Sequence, residues 1–231
     1  MDQRYYNKFA VAAVRGSLKR LGKEDLLSEA LMKKELDALT EDECDKILTA
    51  AQQSNIKLYH FKATHNDMPR VKKVLGFLRG IYFESLLDVG SGRGVFLIPF
   101  MEAFPYVNVS AVDILPRRIE MLNDIKNGGV DRLSVHMANI CEKPFPDNAA
   151  DVVTMLEVLE HIPNVEDAIC AAVEIARKYV VVTVPSKEDD NPEHIHLLTK
   201  AKLTEYFTNA GVTKLSFDSV PGHLFMIAKI D

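Results

Sequence analysis

One stretch of nine residues, Leu86 to Gly94, limits what this chain can fold into more than any other feature. It reads Leu-Leu-Asp-Val-Gly-Ser-Gly-Arg-Gly, an apolar run that leads directly into a loop with three alternating glycines. Glycines at the end of a strand let the backbone turn sharply and let a ligand approach it closely. In open parallel sheets, ligands bind beyond the carboxyl ends of the strands, near the point where the strand order reverses. The stretch therefore predicts a ligand site at the end of the first strand of an α/β sheet.

From residue 85 onward, short apolar runs alternate with helical stretches. Near-continuous apolar strands separated by helices indicate a mostly parallel sheet with helices on both faces. The last two runs have no helix between them, so they predict an antiparallel pair at one end of the sheet. Pro99 falls inside the helix expected after the glycine loop, and it predicts a kink or a 3₁₀ turn there. The apolar runs occupy residues 85–89, 109–112, 133–136, 151–156, 179–184, 214–217 and 224–230.

The first 80 residues have a different pattern, in which apolar side chains recur at helical spacing. The clearest example is a stripe of valines and leucines within residues 71–78. We therefore divide the chain into a helical N-terminal extension, residues 1–70, and an α/β domain, residues 71–231. The extension is predicted to cover the site where an acceptor binds, with the aromatic stretch Tyr59, His60 and Phe61 near that pocket. Ordinary packing of these aromatic side chains between two layers is the alternative.

Composition limits the cellular setting. No window approaches the roughly 20 continuous apolar residues of a membrane-spanning helix, and the first residues do not resemble a signal peptide. Cys44, Cys141 and Cys170 are far apart and form no Cys-x-x-Cys pair. Free thiols of this kind are typical of a reducing compartment. We therefore expect a cytoplasmic protein that has no membrane partner.

Charge is divided unevenly along the chain. Residues 1–80 contain 15 Lys and Arg against 11 Asp and Glu, whereas the remainder contains 13 against 22. A basic layer beside an acidic body would favour an anionic substrate, but two solvated surfaces of different composition explain the counts more simply. The sequence contains no recognisable RNA-binding module, so nucleic acid is not favoured as a partner.

An acidic residue strengthens the prediction of a nucleoside site. Asp113 stands at the end of the second predicted strand, 23 residues after Gly90. A carboxylate in that place can accept hydrogen bonds from both hydroxyls of a ribose. A dinucleotide-binding loop would need glycine at position 95, where this chain has Val95. The competing interpretation is a tight turn at the glycines and a helix cap at Asp113.

The motifs of this chain resemble, in order, those of the class I S-adenosylmethionine-dependent methyltransferases. The resemblance covers about two-thirds of the chain, from Val74 to Asp231. It implies a seven-stranded sheet in the order 3-2-1-4-5-7-6, S-adenosylmethionine as the cofactor and methyl transfer as the activity. The motifs that carry it are Leu87–Gly94, Ala111–Ile114, Asn139 with Pro144–Asp147, Asp151–Val153 and Leu156–His161.

The same resemblance implies where the cofactor binds. Gly90 and Gly92 would line its methionine part, Asp113 would hold the ribose, and Ile114 would pack on the adenine. The family usually has aspartate where this chain has Asn139, a position that contacts the adenine amino group. An asparagine oxygen can accept the same hydrogen bond. The complete predicted cofactor site is Asp88, Gly90, Ser91, Gly92, Asp113, Ile114, Asn139, Ile140, Leu156 and Glu157.

A second group of functional side chains follows the fourth and fifth strands. Glu157, Glu160 and His161 are spaced to share one face, and His196 comes after the next strand. Two carboxylates and two imidazoles suit a divalent cation, and the set is similar to the metal ligands of the small-RNA 3′-terminal 2′-O-methyltransferases. The Leu-Glu-His segment also resembles metal-free methyltransferases, in which it is structural, so we do not favour a metal. His161 and His196 are the candidates for a base or for shaping the acceptor pocket.

The motifs do not specify the methyl acceptor, and a small molecule is favoured. Three other functions remain open: a metal-dependent RNA 2′-O-methyltransferase, a nicotinamide-dependent dehydrogenase, and a cofactor-binding partner protein without catalysis. Val95 and the antiparallel final pair count against the dehydrogenase. The intact glycine loop together with the segment Glu157 to His161 counts against an inactive partner protein.

Overall fold

The computed structural model describes residues 7–61, 63–188 and 190–230. Its seven strands form one sheet in the order β3-β2-β1-β4-β5-β7-β6, where the labels follow the chain. The first five strands are parallel, and β7 is antiparallel to both of its neighbours. This confirms the fold that the motifs imply. The strands are Ser85–Val89 (β1), Asn108–Asp113 (β2), Leu133–Met137 (β3), Ala150–Leu156 (β4), Ala176–Pro185 (β5), Lys214–Val220 (β6) and His223–Lys229 (β7).

The helices lie before and between these strands. Three short segments of the first half, and two of the second, are 3₁₀ helices. Within the described residues, no helix combines the length and the apolar character needed to cross a membrane. The α-helices are Asn7–Leu21 (α1), Glu29–Lys33 (α2), Glu41–Gln53 (α3), Pro69–Arg79 (α4), Leu97–Ala103 (α5), Pro116–Asn127 (α6), Val165–Ile175 (α7) and Lys200–Asn209 (α8).

The sheet is covered on both faces because successive residues of each strand point to opposite sides. Leu86 of β1 belongs to the core beneath α4, α5 and α6, whereas its neighbour Leu87 belongs to the core beneath α7 and α8. The same alternation separates Val152 from Val153 in β4. Strands buried on both faces read as continuous apolar runs, which explains why the sequence pattern identifies them.

The helix α1 is fastened to α6 by direct backbone contact. A Cβ atom on Gly16 would lie 1.9 Å from the carbonyl oxygen of Asp124, so only glycine allows the two helices to approach so closely. Ser17 donates a hydrogen bond to the Asp124 carboxylate at 2.6 Å, and Arg20 donates two more at 2.8 and 3.0 Å. The first helix is therefore an integral layer of the α/β body. The division of the chain at residue 70 stays a prediction.

Pro99 does not interrupt a helix. The chain leaves the glycine loop through several turns, and α5 begins only at Leu97, so Pro99 is its third residue. The N–H groups of the first helical turn have no partner within the helix, and a proline there costs no hydrogen bond. The late start of α5 thus replaces the kink expected from the sequence.

Candidate functional site

A cavity of about 1000 Å³ opens at the carboxyl ends of β1, β2 and β4. This is the place where the order of the sheet reverses, because the chain runs from β1 outward to β3 on one side and continues with β4 on the other. All ten residues of the predicted cofactor site line this cavity, and they come from four separate loops.

The glycine loop is held in one conformation by its neighbours. Gly90 has φ of +67°, and a Cβ atom there would lie 2.4 Å from the Val158 side chain, so another residue would clash as well as strain the backbone. The N–H groups of Gly90 and Ser91 donate to the carbonyl of Val112 at 2.8 and 3.1 Å. The Ser91 hydroxyl donates to the Asp88 carbonyl at 2.8 Å. The floor of the cavity is therefore formed before any ligand binds.

Asp113 connects the second strand to the glycine loop. One carboxylate oxygen accepts the N–H of Gly92 at 2.9 Å, and the other accepts the N–H of Leu115 at 2.9 Å. The N-cap position of α6 is Leu115, so Asp113 does not occupy the cap position of the competing interpretation. Each carboxylate oxygen can accept a second hydrogen bond, which leaves capacity for a ligand.

Asp88 is a buried carboxyl group beneath the same loop. Its Oδ1 accepts a hydrogen bond from the Thr154 hydroxyl at 2.7 Å. Burial raises the pKa of Asp88 to about 7, and the negative charge of Asp113 adds to this, while the bond from Thr154 opposes it. The cavity floor thus contains an acid that changes its charge near neutral pH, and a bound cation would favour its ionised form.

Glu157, after β4, is in the left-handed region with φ of +57°. Its N–H donates to the carbonyl of Thr183 at 2.9 Å, which holds the turn against β5. One carboxylate oxygen lies 3.0 Å from Nε2 of His223, and the other is buried with no hydrogen-bond partner among the described residues. Glu157 lines the cavity but is engaged by the first residue of β7, a contact that the sequence did not reveal.

His161 stands beside a second histidine. Its Nδ1 lies 2.8 Å from the carbonyl of Glu193, so Nδ1 carries the proton and Nε2 is free to accept one. Possible ligand atoms of Glu160, His161 and His194 all lie within 4.8 Å of one another, and this is the group of metal-binding type found in the described part of the chain. The structure brings together Glu160 and His161 of the predicted metal set with His194, and not with His196 or Glu157.

His196 lies apart from that group. Its Nε2 is buried with no hydrogen-bond partner among the described residues, and the residue does not line the cavity. Asn139 does line the cavity, where its side-chain oxygen accepts the N–H of Cys141 at 3.1 Å and begins a short 3₁₀ helix. The roles predicted for His196 and Asn139 stay predictions.

Residues 63–217 match the family model described as Methyltransferase domain. This match covers more than half of the chain. The chain belongs to the methyltransferase-domain family. The family that the motifs resemble is thereby confirmed.

Curated relatives match the domain over shorter stretches. A 27-O-demethylrifamycin SV methyltransferase of Amycolatopsis mediterranei is 36% identical over 83 residues, which are 35% of this chain and 30% of that protein. A ubiquinone biosynthesis O-methyltransferase of Rickettsia felis is 33% identical over 100 residues, 43% of this chain and 39% of that protein. An uncharacterized methyltransferase of Schizosaccharomyces pombe is 31% identical over 101 residues, 41% of this chain and 35% of that protein. The matched part of the chain spans about a third of the length of these relatives.

Solved structures have the same fold as this methyltransferase domain. A SAM-dependent methyltransferase from Aquifex aeolicus superposes with a TM-score of 0.59 at 20% identity and covers 73% of this chain and 94% of its own. PigF, solved with SAH, superposes with a TM-score of 0.57 at 17% identity over 71% of this chain and 55% of its own. At such identities the likeness concerns the fold alone.

The methyltransferase domain has three arginines in the cavity wall that sequence reasoning missed. Arg70 is the second residue of α4, Arg93 is part of the glycine loop, and Arg118 is in the first turn of α6. Each is unremarkable in sequence, because arginine is common on loops and exposed helix turns. The only signal was the modest basic excess of residues 1–80, which includes just one of them.

None of the three residues of the aromatic stretch before α4 lines the cavity. Phe61 is 1% exposed and belongs to the core on the α4 side of the sheet, so it is an ordinary packing residue. The rings of Tyr59 and His60 lie 3.8 Å apart. Burial lowers the pKa of His60 to about 4, and the nearby charges of Arg93 and Arg118 add to this. These charges indicate that His60 lies near the glycine loop and the start of α6, outside the cavity wall. The predicted role of the stretch at the acceptor pocket stays a prediction.

Proposed function

We propose that this domain transfers the methyl group of S-adenosylmethionine to a small-molecule acceptor. The observation that carries the proposal is the meeting of the glycine loop, Asp113 and His161 in the wall of one cavity. The first two suit a nucleoside cofactor, and His161 adds a group able to accept a proton. Membership of the methyltransferase-domain family supports the same activity.

The cavity fits the cofactor in size and chemistry. Its volume of about 1000 Å³ is at the upper end for small-molecule sites, which leaves room for a second substrate. Asp113 offers the carboxylate that ribose hydroxyls need. Ile114 is 65% exposed and lines the cavity, so it offers an apolar surface for a flat base. Asp88 adds an acid beneath a ligand that is positively charged.

The protein needs few catalytic groups for this reaction, because the methyl group of the cofactor is already activated. When bound, S-adenosylmethionine supplies a methyl group on a positively charged sulfur, so the acceptor's lone pair forms the new bond to carbon while the carbon–sulfur electron pair stays on sulfur. The loops hold the acceptor in line and exclude water. Nε2 of His161 takes the acceptor's proton, because Nδ1 is held by the Glu193 carbonyl.

The nature of the acceptor is inferred from relatives. Two curated relatives are named as a 27-O-demethylrifamycin SV methyltransferase and a ubiquinone biosynthesis O-methyltransferase. We therefore favour a small acceptor with a hydroxyl group, for which a base such as His161 is useful. We also propose that the protein works in the cytoplasm, in agreement with its separated, free cysteines.

Calorimetric titration tests the proposal directly. S-adenosylhomocysteine should bind, and NAD should not bind comparably. Tight binding of NAD would overturn the methyltransferase assignment in favour of a dehydrogenase. Mass spectrometry of small molecules that co-purify with the protein identifies the acceptor, and their trapping without any methyl transfer would point to an inactive partner protein.

Metal-assisted transfer is the second candidate, favoured by the convergence of Glu160, His161 and His194. A carboxylate and two imidazoles suit a divalent ion that keeps open positions for acceptor hydroxyls. Titration of the S-adenosylhomocysteine complex with Mn²⁺ tests it, and the Glu160→Gln variant is the control. Saturable binding that the variant loses would support the metal, and with it a ribose hydroxyl of RNA as acceptor. Absence of Mn²⁺ binding would exclude the metal-assisted mechanism and, with it, the reason to expect an RNA acceptor.

A further inference from the structure

A histidine of the last hairpin contacts the cavity wall across the end of β5. His223 is the first residue of β7, and β5 lies between β7 and β4 in the sheet. Its Nε2 nonetheless lies 3.0 Å from a carboxylate oxygen of Glu157, the residue that follows β4. The contact therefore connects two strands that are not neighbours, and it does so at a residue that lines the cavity.

The ring of His223 is held from both sides. Nδ1 lies 3.0 Å from the carbonyl oxygen of Pro221, which can only accept a hydrogen bond, so Nδ1 carries a proton. Nε2 faces a carboxylate, which is also an acceptor, and the doubly protonated imidazolium donates to both oxygens. Pro221 and Gly222 form the turn between β6 and β7. The hairpin turn thus directs the ring at Glu157.

The contact leaves the second carboxylate oxygen of Glu157 unused. Oε2 faces His223, whereas Oε1 is buried and has no hydrogen-bond partner within the described part of the chain. A buried carboxylate oxygen that accepts no hydrogen bond is costly, and the left-handed backbone of Glu157, with φ of +57°, adds strain that glycine would avoid. Because Glu157 lines the cavity, its unused oxygen suits a hydrogen-bond donor that a ligand brings.

The cofactor carries such a donor toward this side of the cavity. A ribose held at Asp113 is at the end of β2, which lies two strand spacings from β4, about 10 Å. The amino-acid part of the cofactor then extends over the glycine loop, which follows the strand between them. Val158, next to Glu157, lies against that loop, 2.4 Å from the point that a Cβ atom of Gly90 would occupy. The ammonium group of the amino-acid part has three charged N–H donors, which match a carboxylate oxygen.

We propose that Oε1 of Glu157 binds the ammonium group of the cofactor and that His223 positions Glu157 for this contact. The inference rests on the proposed function, because it takes S-adenosylmethionine as the ligand of the cavity. His223 does not line the cavity, so it acts through Glu157. In the complex the carboxylate lies between two cations, and each of its oxygens accepts a charge-assisted hydrogen bond.

Two ligands that differ only in the amino-acid part test the ammonium contact. S-adenosylhomocysteine carries the ammonium group, whereas 5′-methylthioadenosine keeps the nucleoside and the sulfur but has a methyl group in place of the amino-acid part. Calorimetry should show that Glu157→Gln weakens binding of S-adenosylhomocysteine about tenfold, because a neutral amide replaces the charged acceptor. Affinity for 5′-methylthioadenosine should stay within about twofold. Equal weakening of both ligands, or of neither, would overturn the contact.

The role of His223 is tested against a matched histidine. His223→Ala should weaken binding of S-adenosylhomocysteine about three- to tenfold and leave 5′-methylthioadenosine unaffected. In the double variant it should add little to Glu157→Gln, because both changes act through one carboxylate. His223→Gln should restore most of the affinity, since its amide N–H can still donate to Glu157. The control is His136→Ala, at a partly buried histidine of β3 that does not line the cavity, and its affinity should stay within about twofold.

Additive losses in the double variant, or a loss in His223→Ala no larger than in the His136→Ala control, would overturn the positioning role. Thermal unfolding of every variant separates loss of the fold from loss of the contact, and His223→Gln supplies a variant that keeps the hydrogen bond. Failure of the proposed function has a different signature, because then neither ligand binds the unmodified protein.

Discussion

The carboxylate of Asp113 accepts the backbone N–H of Gly92 at 2.9 Å, so the end of one strand holds the loop that follows its neighbour. We predict that Asp113→Ala weakens binding of S-adenosylhomocysteine at least about tenfold, because hydrogen bonds to a charged group are worth roughly 1.5–3 kcal/mol each. The melting temperature should fall as well, since two backbone N–H groups lose their acceptor. Calorimetry and thermal unfolding measure the two effects, with the exposed Asp131→Ala as control. Unchanged affinity would limit Asp113 to a structural role.

Asp88 makes the stability of the protein depend on pH. Its pKa in the folded state is about 7 and its ordinary value is 3.8, so the folded protein holds a proton that the unfolded chain has released between these values. The free energy of unfolding should therefore fall as pH rises from about 4 to about 7, by an amount on the order of 4 kcal/mol, and stay level above. Asp88→Asn should remove this decline, because asparagine keeps the acceptor for Thr154 without the charge. Urea unfolding at several pH values tests this, and a decline that persists in the variant would contradict it.

Strong local signals predicted the strands and a ligand site at the glycine loop, whereas the strand order and most of the cofactor residues were implied by the resemblance to a known family. Continuous apolar runs identify strands buried on two faces, and the glycine loop has few uses other than a close approach to a ligand. The contacts between side chains at the site were not predicted from the sequence. Glu157 turns to His223 across the sheet, and His194 takes the place expected of His196 beside His161. These side-chain contacts depend on the paths of the loops, which cannot be predicted from the spacing of residues along the chain.

The two histidines should respond differently to substitution. His161→Gln is predicted to slow methyl transfer by about 10²–10⁴-fold with little change in affinity for S-adenosylhomocysteine, because it removes the base and leaves the cofactor side of the cavity. His196→Gln should lower the melting temperature and leave the rate per folded molecule nearly unchanged, since its Nε2 is buried outside the cavity wall. Rates are measured with the acceptor recovered by co-purification. If the His196→Gln variant has normal stability but transfers the methyl group slowly, His196 has a role in the reaction.

A chelator distinguishes methyl transfer with His161 as the base from metal-assisted transfer. If His161 acts as a base alone, transfer should continue at full rate in excess EDTA, and cofactor affinity should not change. Loss of transfer that returns on addition of Mg²⁺ or Mn²⁺ would instead make Glu160, His161 and His194 metal ligands.

Two glycines offer a matched test of the contact between α1 and α6. Gly16→Ala should destabilise the protein by several kcal/mol, because the new methyl group would overlap the Asp124 carbonyl oxygen and force the helices apart. Gly76→Ala in α4 should stabilise it by about 0.5–1 kcal/mol, since a Cβ atom there meets nothing within 4 Å and alanine is the better helix former. Chemical unfolding of both variants measures the difference. Equal effects would mean that α1 rests only loosely on α6.

The contact between α1 and α6 also has a consequence for folding during synthesis. The helix α1 is synthesised before α6, so Ser17 must wait for Asp124, which is 107 positions further along the chain. At about 5–20 residues per second, that interval lasts roughly 5–20 s. During it, α1 can already pack against α3, but the face that contacts α6 has no partner. The nascent chain therefore leaves one face of α1 uncovered for many seconds, and this face is buried once α6 has been made, before strands β3 to β7 complete the sheet.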